Sequence, residues 1–212
     1  MLVTEARHRV ALVTATLLCG AAVLGWSFHV DPGSGSFYLA AALLAAIWSG
    51  GALLAGARLR MRGPAPWPSA RVVAAAIGLG VALAAVFVLG AVVVRQIDLL
   101  ANATDVVLDF ARRGSGPAVV AVALVNAVAE EMFFRGALYD VLLVRFALVG
   151  TTLLYVLVTM ASGNLMLAFA ALFVGAVFGL ERRRTGHWAA PAITHVTWSL
   201  TMLLVLPLLI PD

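Results

Sequence analysis

Long apolar runs set the terms for this chain. They fall at 10–28, 37–57, 72–94, 117–139, 147–161, 165–180 and 188–210, and most hold no charge at all. A helix needs about 20 apolar residues to cross the hydrocarbon core of a bilayer. The composition leaves little room for another solution, with 63% hydrophobic and 11% charged residues. A soluble domain is nearer half apolar and a quarter charged. The expected fold is therefore all-α: a polytopic membrane helix bundle of about seven transmembrane helices. An eighth would arise if the run at 117–139 broke near Gly136. The chain reads as one membrane domain, 1–212, with N-terminal spans at 1–95, a connector at 96–115 and a core at 116–207.

The segments between the runs refine this picture. Residues 29–36 and Ser162-Gly163-Asn164 read as turns, and 58–71, with four Arg and three Pro, as a basic loop. The first run is long for a secretory h-region and has no AxA-type site after it, so it counts as a span. In 96–115, apolar residues recur at helical spacing with Asp98, Asp105 and Asp109 between them, the pattern of an amphipathic helix at the interface. The chain shows no internal repeat, which weighs against an inverted-repeat transporter.

The formal charge of +4 does not point to nucleic acid. All fourteen basic residues are Arg, and most sit at the ends of apolar runs. With the N-terminus inside, Arg7, Arg9, the Arg-rich loop at 58–71, Arg135, Arg145 and Arg182 to Arg184 share one side, as the positive-inside rule requires. The Ala- and Arg-rich, Lys-free composition fits a GC-rich bacterial genome. The expected location is a bacterial cell membrane, multi-pass, with a cytoplasmic N-terminus. Cys19 is the only cysteine, so an internal disulfide and a multi-Cys metal site are excluded.

Against this apolar background, 126–139 stands out: NAVAEEMFFRGALY. Carboxylates at membrane depth are expensive and functional by default. Glu131 and Arg135, four apart, share a helix face and can pair. Glu130 is turned by about 100° and is free to face elsewhere. Confined, partly dry surroundings suit a carboxylate to general-base work near neutral pH. His195, in PAITHVTWS, is a second candidate. Pro191 is expected to bend or open the last helix, and Ser199 lies one turn beyond His195. His187, beside Arg184 and Trp188, reads as an interfacial residue, and the five tryptophans fit interfacial anchoring for the most part. The bland alternatives are a structural Glu131–Arg135 pair and a packing histidine at 195.

The order EExxxR (Glu130, Glu131, Arg135), then about sixty residues later Thr185-Gly186, Pro191 and His195, resembles the CPBP family of intramembrane proteases, over roughly 116–207. That family includes the type II CAAX prenyl endopeptidases and bacteriocin-processing proteins. The resemblance implies a catalytic cavity inside a helix bundle. It assigns Glu130 to water activation, Glu131 and Arg135 to support, and His195 to the neighbourhood of the water or the oxyanion. The middle motif, FxxxH, is held here by Tyr155 and Thr159, and the asparagine of HxxxN by Ser199. Thr159 and Ser199 are thus possible supporting residues only. With one family histidine left, a zinc ion is poorly supplied, since zinc takes three protein ligands and a water. The family is often described as metalloproteases, and a glutamate-and-water mechanism without metal is argued for it too, so no metal ligand is assigned. The partners implied are membrane lipid and a hydrophobic or lipidated peptide. Two other readings stay open: a catalytically reduced relative that binds or scaffolds a membrane partner, as an immunity factor does, and an ion-coupled transporter.

Overall fold

The computed structural model describes residues 2–55, 67–114 and 116–209. Among them the chain is helical throughout, with eight helices: α1 (Leu2–Ser27), α2 (Gly35–Leu54), α3 (Ala70–Val94), α4 (Asp98–Arg113), α5 (Gly116–Val141), α6 (Val144–Met160), α7 (Leu165–Thr185) and α8 (Ala189–Leu209). Six of these, all but α4 and α6, are long and apolar enough to cross a membrane. Helix α6, with 17 residues, is a shorter apolar helix, at the lower limit for a span. The chain is a multi-pass membrane protein. The Arg58, Arg60 and Arg62 part of the basic loop lies outside the described residues.

Helix ends follow local chemistry. The Ser34 hydroxyl accepts from Phe37 N–H at 3.2 Å and starts α2. Asn164 caps α7 through Met166 N–H (2.9 Å) and Leu167 N–H (3.1 Å), while its amide donates to Ala103 O at 2.7 Å and so ties α4 to the bundle. The turn before it needs Gly163 at φ +71°, where a side chain is disfavoured. The break near Gly136 that would have added an eighth span does not occur. Instead, α5 widens into a π-helical segment, Met132–Leu138, and runs on to Val141. Nor does Pro191 open the last helix. It lies in the first turn of α8, where a missing N–H has no intrahelical partner to lose.

Helix α5 sits between α2 and α8; α1 packs on α2, α3 on α8, and α6 on α7. Trp48, 1% exposed, lies at the centre with Phe133 and Phe134, ring centroids 5.0 and 5.2 Å away. It is a core residue, not an interfacial anchor. Large apolar side chains such as Leu54, Leu89 and Leu208 face outward, where lipid tails solvate them. Helices α3 and α8 touch through backbone. A Cβ on Gly80 would stand 2.7 Å from Thr194 O, and next to it the Thr194 hydroxyl oxygen lies 3.1 Å from Ala76 O. Gly80→Ala is therefore expected to force the two helices apart and to lower stability by about 1–3 kcal/mol. Thermal unfolding in detergent micelles measures this, and an unchanged midpoint would mean that the contact is loose.

Candidate active site

The charged residues of α5 are held by three other helices. Glu131 and Arg135 are both 0% exposed. Arg135 Nη1 donates to Glu131 Oε1 at 2.9 Å, the i,i+4 pair that the spacing suggested. Its Nη2 donates to Gly175 O on α7 at 3.2 Å. The guanidinium carbon lies 4.9 Å from the ring centre of Tyr155 on α6 and 5.4 Å from that of Phe178 on α7. Aromatic faces attract such a cation. The carbonyl of Arg135 accepts from Arg182 Nε at 2.7 Å. A side chain that inserts into the helical ladder is a recognised companion of such widened turns. Arg182 is itself buried and paired with Asp140 at 3.2 Å, so it anchors the bundle and is not a topology marker like Arg183 and Arg184.

His195 joins this cluster from α8. Its Nδ1 is 3.1 Å from Glu131 Oε1, the oxygen that also receives Arg135. A carboxylate beside an arginine accepts and does not donate, so Nδ1 is the donor in this contact. The ring packs on Phe178, centroids 4.9 Å apart. Arg135 and His195 thus both point at Glu131.

Glu130 faces elsewhere, as its rotation along the helix suggested. It is half-buried, and Tyr155 Oη donates to its Oε2 at 2.8 Å. Its Oε1 has no hydrogen-bond partner among the described residues, while His195 and Arg135 lie within electrostatic reach. Each carboxylate therefore keeps one oxygen without a hydrogen-bond partner among the described residues; Glu131 Oε2 is sealed in the interior, whereas Glu130 Oε1 belongs to a half-buried side chain.

Four of the six residues singled out in the sequence come together: Glu130, Glu131, Arg135 and His195. Thr159 does not join them, since its hydroxyl donates to Tyr155 O at 2.8 Å within its own helix. Ser199 lies one turn beyond His195 and lines a separate apolar cavity of ≈ 400 Å³ between α4, α5 and α8. Neither Glu130 nor His195 lines that cavity, but Asn126, one turn before Glu130, does. Tyr155 was missed as a partner of Glu130. It occupies the phenylalanine place of FxxxH, and its extra hydroxyl was the signal. Glu181 was missed as well; its Oε2 accepts from the Thr194 hydroxyl at 2.8 Å, next to the cluster.

A metal ion does not fit these donors. Glu131 Oε1 is taken by the Arg135 guanidinium and by His195, which leaves a cation where a dication would have to bind. Among the described residues no three His, Cys, Asp or Glu side chains converge in a way that could hold one.

His187 is not an exposed interfacial residue. It is buried, its Nδ1 accepts from Ala189 N–H at 2.8 Å, and so it caps α8. Burial, and after it the Arg182 guanidinium, hold its imidazole below the ordinary value of 6.5. Protonation would also remove the acceptor that makes the cap. With the folded pKa lowered, the cap's contribution is complete above about pH 6.5 and fades as pH falls from there through the folded pKa. The unfolding midpoint is expected to be flat above about pH 7 and to drop on acidification, and His187→Asn, which keeps a capping oxygen, is expected to blunt that drop. Thermal scans across the pH series check this.

Residues 113–201 match the family model described as type II CAAX prenyl endopeptidase Rce1-like. No curated protein and no solved structure matches the chain. The match spans α5 to most of α8 and so takes in Glu130, Glu131, Arg135 and His195. Over this stretch, by the order of its motifs and by this match, the chain is similar to the Rce1-like type II CAAX prenyl endopeptidase family.

Proposed function

We propose that the chain is an intramembrane endopeptidase in which Glu130 activates water. The uncommitted Oε1 of Glu130 carries this reading. Glu130 takes a proton from a water, whose oxygen attacks the carbonyl carbon of a peptide bond. When the C–N bond breaks, Glu130 returns the proton to the leaving amine, so the products are a carboxylate and an amine. Tyr155 holds the other oxygen of Glu130. His195, kept in one orientation by Glu131, offers a polar ring close to the reacting carbonyl, and Arg135 holds Glu131 in place. The substrate is a hydrophobic or lipidated membrane peptide, and the N-terminus lies in the cytoplasm of a bacterial cell, with Glu130 nearer the inner side.

A second reading is a relative that binds such a peptide without cutting it. The Thr159 hydroxyl supports it, being spent on its own helix where the family pattern has a histidine. The test is hydrolysis of hydrophobic membrane peptides by the full chain in proteoliposomes, read by mass spectrometry in ¹⁸O-water. New carboxylates that carry the label, and that vanish with Glu130→Ala, support the protease. Product that persists in that variant overturns the role of Glu130, and wild-type binding without product favours the second reading.

A further inference from the structure

The apolar cavity beside the cluster holds two polar groups that face no partner. Asn126 spends both amide hydrogens, on Ala41 O of α2 at 3.0 Å and on Val122 O at 2.8 Å. Turning the amide over would set its oxygen against two carbonyl oxygens, so the contacts fix the orientation. The atom left over is therefore Oδ1, an acceptor, buried and without a hydrogen-bond partner among the described residues. Trp198, on α8, lines the same cavity, and its Nε1–H is buried and unpaired in the same sense. A donor and an acceptor left open beside apolar walls are costly unless something bound there satisfies them.

The polar rungs are also aligned with the charged cluster. Helices α5 and α8 both line the cavity and meet at the cluster, where Glu131 lies 3.1 Å from His195. Asn126 precedes Glu130 by one turn, about 6 Å along the axis, and Ser199 follows His195 by one turn. A hydrocarbon chain in this space would leave Oδ1 and Nε1–H unsatisfied. A peptide main chain brings an N–H and a C=O with every residue, and apolar side chains fill the remaining volume.

We infer that Asn126 and Trp198 are positioning residues that grip the main chain of an apolar peptide in this cavity, one turn from Glu130. Asn126 accepts a peptide N–H, and Trp198 donates to a peptide carbonyl. This inference rests on the peptide substrate of the preceding reading, and it names the groups that select for amide over plain lipid.

The probe is an N-acetylated, amidated hexapeptide of alternating Leu and Ala with a dye label, together with analogues in which one N–H at a time is replaced by an ester oxygen. Binding to the full chain in detergent micelles is measured for the wild type and for Glu130→Gln, so no turnover is needed. At one position the ester is expected to weaken binding about tenfold. Asn126→Leu should weaken the all-amide peptide by about the same factor and erase the ester effect. That variant also loses the bond to α2. Trp198→Phe keeps it, and should weaken the all-amide peptide while the ester effect stays. The inference is overturned if no ester position matters, if Asn126→Leu keeps the discrimination, or if hexadecanol binds the wild type as tightly as the peptide. Binding with these signatures but without cleavage would uphold this inference and remove the protease.

Discussion

Arg135→Met is expected to destabilise the protein by about 3–5 kcal/mol, the usual penalty for stranding one partner of a buried ion pair. The variant leaves Glu131 fully buried with only His195 to meet its charge, and it removes the bond to Gly175 O on α7. The rings of Tyr155 and Phe178 also lose the cation between them. Methionine keeps most of the volume, so a cavity is not the main cause. Adding Glu131→Met to the variant should recover most of the loss, because an apolar pair of similar size is often no worse than the ions it replaces. A double-mutant cycle on unfolding midpoints in micelles reads this as a large coupling. If the single variant unfolds like the wild type, the pair is not the structural hub described.

Glu130→Gln is expected to remove at least about 10³-fold of the proposed hydrolysis, within the range that a positioned base contributes. It should cost far less stability than Arg135→Met, since Glu130 is half-buried and has a single neutral partner, the Tyr155 hydroxyl. A glutamine oxygen can still accept from Tyr155, so the local bonding survives. The contrast separates the two acidic neighbours: one variant silences the chemistry in a folded protein, and the other undermines the fold. Turnover and melting, measured on the same preparations, check both halves. A Glu130→Gln protein that unfolds as readily as Arg135→Met would show that Glu130 is a structural residue.

Helix number and type were legible in the apolar runs because membrane spans need little beyond length and composition. The Glu131–Arg135 pair was legible for a similar reason, since four-residue spacing within one helix is local geometry. What could not be seen was anything decided by a partner far along the chain. The widened turn of α5 is met by Arg182, 47 residues later, and no feature of MFFRGAL announces it. His195 was placed near the glutamates by the family pattern, but only the fold tells which glutamate it bonds. Pro191 was misjudged although the run at 188–210 begins within one residue of α8: three residues into the run, it was given the role of an interior breaker, whereas that place is the first turn. Trp48 and Arg182 were misjudged for a shared reason. Residue types that favour the interface were given to the interface, and here both are buried.

The sequence order of the hub has a consequence for how the chain is made. Helix α5 carries Glu130, Glu131 and Arg135, whereas Gly175, Arg182 and His195 lie on helices synthesised after it. On insertion scales a charged residue at mid-membrane costs about 2.5–3.5 kcal/mol, and α5 must meet that cost before its later partners exist. Because Glu131 and Arg135 are one turn apart, they can neutralise each other inside the nascent helix. Helices α7 and α8 then arrive to enclose a pair that α5 can form alone, and the hub can assemble in the order in which its parts leave the ribosome.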